Sequence, residues 1–165
     1  MFVKISDFTA EWKKEMNLTQ QLMDTLTDES LQQAIAPEYR TLGQIAWHLV
    51  LTIGSMSMMG LDLEKPDGGE RAPASANKIA SEYRRLSQAL LDAVETQWTD
   101  ADLLQSKSVN GEEWSNGYSL HLIIQHEVHH RGQMTVLMRQ AGLRPAGIYG
   151  PTREDWIEKG QQPYL

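Results

Sequence analysis

Two histidines four residues apart, His126 and His130, stand where a helix over about residues 118 to 141 should carry apolar side chains. The inward stripe of that helix runs Ile123, then 126 or 127, then 130, then Met134 and Leu137. At about 100° of rotation per residue, positions four apart differ by roughly 40° and lie one turn above each other, so the two imidazoles point the same way. That spacing suits chelation of one metal ion. His48 falls three residues after Ile45 and four before Thr52, on or beside the apolar stripe of an earlier helix, so a bundle can bring it opposite the pair. Neutral imidazoles suit zinc, nickel, copper or iron(II), and three protein ligands leave a coordination position open for water or substrate. Without such an ion or a hydrogen-bond partner, each buried ring costs about 1–3 kcal/mol.

The neighbouring residues admit both chemical and structural readings. Glu127 is next to the metal face and is the candidate general base, yet it also lies four residues before Arg131, the spacing of a surface ion pair. His129 and Gln133 are placed to orient ligands or touch substrate, although His129 lies off the stripe and can simply face solvent. His121 sits near the helix start, and Trp47 and Trp114 either line a pocket or fill the core. Met56, Met58 and Met59 read as gap-filling core. His126-Glu127-Val128-His129-His130 also matches His-Glu-x-x-His, in which zinc peptidases use the glutamate as base. The extended form of that motif needs glycine and histidine where this chain has Gln133 and Val136, although Glu154 could still offer a third ligand. A histidine cluster that binds a metal or small molecule without turnover is a further reading.

The elements that hold these residues follow from apolar spacings of three and four. Phe8, Trp12, Met16, Thr19, Met23 and Leu26 predict a helix over about 7 to 26, behind Ser6 or Asp7 as N-cap. Thr41 can cap a second, which carries Ile45, Leu49, Ile53, Met56 and Met59 up to Gly60. Residues 62 to 77, with two prolines and Gly68-Gly69, predict a long irregular connection. A third helix fits 77 to 98. Asn110-Gly111 and Asn116-Gly117 read as turns, with Ser106 to Asn110 a minor extended piece. Gly142 would end the fourth helix, and Thr152 could cap a short one to Glu158. Four long helices in an all-α chain predict a four-helix bundle, and the connection of about 15 residues is long enough to let the second and third run parallel.

Composition bounds the function. At 165 residues, 41% hydrophobic and 22% charged, the chain suits one globular domain spanning 1–165. The formal charge of −7 gives no global attraction to nucleic acid. Zero cysteines exclude disulfides and thiolate ligands, which leaves any metal to His, Asp and Glu. No stretch approaches the roughly 18 apolar residues of a membrane span, and no apolar leader precedes Asp7, so the expected location is the cytoplasm.

The segment from His126 to Gln133, together with Leu42-Gly43-Gln44-Ile45-Ala46-Trp47-His48-Leu49, resembles the DinB-like proteins, a superfamily that includes bacillithiol- and mycothiol-dependent transferases. The run from Gly142 to Pro145 and from Ile148 to Pro151 is similar to the family's closing segment. The resemblance implies a bundle of up-down-down-up topology with His48, His126 and His130 around a divalent metal, zinc or nickel. It further implies thiol S-transfer or hydrolysis on a small-molecule substrate, a low-molecular-weight thiol as cofactor and a tendency to form homodimers. The alternative is a stress-response protein that binds a metal or small molecule without turnover.

Overall fold

The spacings of three and four become four long helices, α1 (Ile5–Met23), α2 (Leu42–Ser55), α3 (Ala76–Gln97) and α4 (Asn116–Gln140), with a short α5 (Arg153–Glu158) in the tail. The structure is a computed structural model and describes residues 1–109 and 111–164. Each long helix packs against two others, in the cyclic order α1, α3, α2, α4. Phe8, Trp12, Leu49, Ile53, Leu86, Leu90, Leu120 and Met134 are fully buried along the common axis. Each such side chain contributes about 1.5–3 kcal/mol relative to exposure. The Trp12 indole N–H donates to the Ser87 carbonyl at 3.0 Å, which fixes α1 against α3 through a polar handle inside the core.

Caps set the helix starts. The Thr41 hydroxyl accepts from Gln44 N and the Gln44 side chain accepts from Thr41 N, a reciprocal pair that begins α2 two turns before His48. Ser115 caps α4 by accepting from Tyr118 N. The helix therefore starts ahead of the turn expected at Asn116-Gly117. Gly117 is needed for another reason: a Cβ there would collide with the Phe2 carbonyl, and Phe2 N donates to Gly117 O at 3.1 Å. At the far end of α2 the chain tightens into a 3₁₀ turn, Met56–Met59, and stops at Gly60 with φ of 88°. Leu26 is buried although α1 ends at Met23, so the apolar stripe outlasts the helix that begins it.

The connection between α2 and α3 is irregular, as expected, but it is fastened. Trp47 donates its indole N–H to Gly69 O at 3.0 Å, and the Glu82 carboxylate accepts from Asp67 N at 2.9 Å. The extended piece near 106 is one strand of a hairpin, β1 (Ser106–Val109) against β2 (Glu112–Ser115), antiparallel with Lys107 opposite Trp114. Asn110, which ends the expected strand and opens the expected Asn110-Gly111 turn, lies outside the described residues. No helix of the described residues is long and apolar enough to cross a membrane.

Candidate metal centre

His48 on α2 meets His126 and His130 on α4. The Nε2 atoms of His48 and His126 are 2.8 Å apart, and one ring nitrogen from each of the three residues lies within 4.8 Å of the others. Ring centroids are separated by 4.9, 4.8 and 4.4 Å. Among the described residues no other group of three His, Asp or Glu side chains converges this way. His130 is buried, and His48 and His126 are partly so.

The donor set fits a divalent cation. His130 Nδ1 lies 2.7 Å from Gln133 Oε1, an acceptor only, so Nδ1 carries the proton and Nε2 keeps its lone pair. Two facing Nε2 atoms can share at most one proton, whereas a cation at their meeting point would satisfy both lone pairs. Burial, and after it the positive guanidinium of Arg40, pushes the His48 imidazole down to about 4. His126 and His130 are lowered too, first by burial and then by the neighbouring rings and Arg40. The three rings are therefore neutral at neutral pH, the state in which imidazole donates to a metal.

The sequence model of the DinB family matches residues 1–162. The chain belongs to the DinB family. It is 46% identical over 161 residues to the uncharacterized protein YrdA of Bacillus subtilis, covering 97% of this chain and 96% of that one. The crystal structure of a DinB-like protein from Bacillus cereus matches with a TM-score of 0.83 at 43% identity, over 90% of this chain and 100% of the other. A DinB-like protein from B. subtilis matches at 16% identity with a TM-score of 0.69, over 88% and 98% of the two chains, and shares the fold.

In this DinB protein Glu127 does not meet the imidazoles, contrary to the expectation of a base on the metal face. It is 1% exposed, and its carboxylate accepts from Thr19 of α1 and from the Tyr83 hydroxyl of α3 at 2.7 Å. The reason is helical: one residue past His126 is a rotation of about 100°, which turns the side chain to the α1 and α3 side. Burial, opposed by these donors and by Arg131, pushes its carboxyl up to about 7. Nor does Glu127 form a surface ion pair with Arg131. Arg131 is 2% exposed and pairs instead with Glu15, donates to Thr19 Oγ1 at 3.1 Å, and donates to the Tyr149 hydroxyl. Tyr149, itself exposed, in turn donates to Glu15 at 2.6 Å, so the closing segment is tied to the buried Arg131–Glu15 pair of α4 and α1.

Gln133 bridges two rings, accepting from His130 and standing 3.2 Å from His129 Nε2, while His129 itself is exposed. His121 packs edge-on against Phe2. Trp47 lines a cleft beside His48, and Trp114 lines another beside His126, where its indole N–H donates to Glu112 at 2.9 Å. A third cleft of about 520 Å³ opens beside His130 and Gln133. Arg40, absent from the sequence-based candidates, borders two of these clefts, and its positive charge disfavours protonation of all three imidazoles. Its stretch has no helical periodicity to place it.

Proposed function

We propose that this DinB protein is a divalent-metal-dependent enzyme in which His48, His126 and His130 hold a zinc or nickel ion, acting on a small-molecule substrate by thiol S-transfer or hydrolysis. The observation that carries the reading is the convergence of three neutral imidazole nitrogens within 4.8 Å, each ring bordering a cleft of its own. When bound, such an ion supplies Lewis acidity that lowers the pKa of a thiol or water beside it. Gln133 holds His130 in the tautomer whose Nε2 is free to donate. Apolar walls beside His130 and His126, from Ile45, Leu137, Met56 and Ile123, restrict water around the reacting groups. Glu127, held by Thr19 and Tyr83, braces α4 from the opposite side. That orientation gives no support to the peptidase use of His-Glu-x-x-His, which needs the glutamate beside the metal. The same reading includes the up-down-down-up course of the four helices, with α2 and α3 parallel across the long connection.

The decisive measurement is metal content per chain after purification and reconstitution, paired with a screen of low-molecular-weight thiols against electrophiles and of hydrolysable esters and amides. The expected result is one ion per chain, lost in His48→Ala and His130→Ala together with any turnover. Unchanged metal content in both variants would refute the centre. Stoichiometric metal without turnover across the screen would favour a binding protein instead.

A further inference from the structure

Arg40 is an exposed arginine at the mouth of the centre, and among the described residues it has no hydrogen-bond or ion-pair partner. Arg84, Arg85, Arg131, Arg139 and Arg144 each hold an acidic side chain. Among the described residues Arg71 and Arg153 are unpaired like Arg40, but Arg71 borders the cleft beside His48 alone, and only Arg40 borders both this cleft and the one beside His130. The backbone beneath Arg40 is fixed on both sides. Ala34 pairs with Thr41 in an antiparallel bridge, Leu42 N donates to Gln33 O at 2.7 Å, and Thr41 caps α2. Arg40 borders both the cleft beside His48 and the cleft beside His130. In a chain of net charge −7, this is a positive group without an ion-pair partner among the described residues, on the rim of the clefts that His48 and His130 line.

The cleft beside His130 is otherwise largely apolar, with Ile35, Tyr39, Val136 and Leu137 among its lining residues. Ile35, Tyr39 and Val136 are 58%, 60% and 52% exposed, so this hydrocarbon surface has no cover among the described residues. A cleft with one cationic anchor and an apolar wall recognises an amphipathic small molecule. Glu38 borders the same cleft, so a dianion there would meet repulsion that a monoanion largely escapes, while Glu70 and Arg71 of the neighbouring cleft carry opposite charges that offset each other. A single planar guanidinium also matches one carboxylate in bidentate geometry.

We propose that Arg40 binds a carboxylate on the substrate of this centre while the wall formed by Ile35, Tyr39, Val136 and Leu137 takes its hydrocarbon part. The substrate class is a small amphipathic monocarboxylate. This deepens the metal-enzyme reading and rests on it for the chemistry, while the recognition itself needs only the side chains named. Arg40 determines specificity, and the clefts leave room for the reacting group of the same molecule to reach the imidazoles.

The test is calorimetric titration of hexanoate, acetate and hexanamide into nickel-loaded full-length protein and its Arg40→Gln and Arg40→Lys variants, with bound metal counted in every sample. The same ligands are followed by thermal shift in the metal-free proteins. Wild type should bind hexanoate at least tenfold more tightly than acetate or hexanamide. Arg40→Gln should lose at least tenfold in hexanoate affinity, Arg40→Lys should recover part of it, and hexanamide affinity and metal content should stay within twofold. Equal hexanoate affinity in wild type and Arg40→Gln overturns the proposal, as does hexanamide or acetate binding wild type as tightly as hexanoate. A wild-type protein that takes up no nickel or zinc counts against the metal centre instead. The metal-free titrations still decide the role of Arg40, so the two failures are distinct.

Discussion

Gln133 shows how much one side chain outside the trio decides. Its carbonyl oxygen receives the Nδ1 proton of His130, which leaves Nε2 as the donor nitrogen and fixes the plane of the ring. Replacing it with leucine removes that acceptor from a helix surface without opening the core, so folding should change little. Metal affinity of Gln133→Leu should fall about 10–100-fold, as for other partners of metal-bound histidine, measured by competition with a chromophoric chelator. An affinity equal to wild type would mean that the ring orientation is set by packing alone. The pH dependence has a definite sign. The imidazoles have ordinary values near 6.5, and in the fold all three are lowered, His48 to about 4. Their charged forms are penalised in the fold, so their contribution to stability is present above about 6.5 and is lost as pH falls toward about 4. Protons therefore compete with the metal later than free histidine would allow. Half of the bound ion should remain to a pH below 6.5, and release should then be steep because more than one ring protonates. Release centred above 7 in equilibrium dialysis would contradict this.

At the scale of elements, α4 carries two different faces in alternate positions, and that explains what could and could not be read from the chain. The face with His126 and His130 was legible because each histidine interrupts an apolar stripe at helical spacing, and His48 does the same in α2. The face with Glu127 and Arg131 was not. Charged residues ordinarily mark the solvent side, and their partners Glu15, Thr19, Tyr83 and Tyr149 come from three distant segments. The second strand of the hairpin, Glu112–Ser115, was hidden for a related reason: its two glutamates are exposed and give no alternation. The third and fourth helices and the long connection were placed to within a few residues because spacing and turn residues agree. The hidden network has a measurable weight. Removing one partner of a buried ion pair leaves an uncompensated charge, so Arg131→Met should destabilise the protein by about 3–5 kcal/mol in denaturant unfolding. Glu15→Met in the same chain removes the stranded carboxylate, and the double variant should be more stable than Arg131→Met alone. A double variant that is simply the sum of two losses would show that α1 and α4 are not coupled through this pair.

For the molecule as a whole, the metal would tie α2 to α4 across an interface otherwise made by apolar packing such as Ile45 and Leu137. These helices belong to different halves of the chain, with the long connection, α3 and the hairpin between them. An ion held by His48, His126 and His130 binds the folded state and finds no preformed site in the unfolded one, so binding free energy becomes folding free energy. At a free metal concentration of 100 times Kd the gain is about 2.7 kcal/mol. For a domain of this size each kcal/mol raises Tm by about 2–4 °C, so saturation should raise it by about 5–11 °C. A chelator should reverse the rise. His48→Ala removes the only member of the trio on α2, so the remaining pair sits on one helix and ties nothing together. Its Tm should then respond to metal by less than a third of the wild-type shift, even if some ion is retained on α4. A His48→Ala protein stabilised as strongly as wild type would place the ion on α4 alone and dissolve the link between the two halves of the bundle.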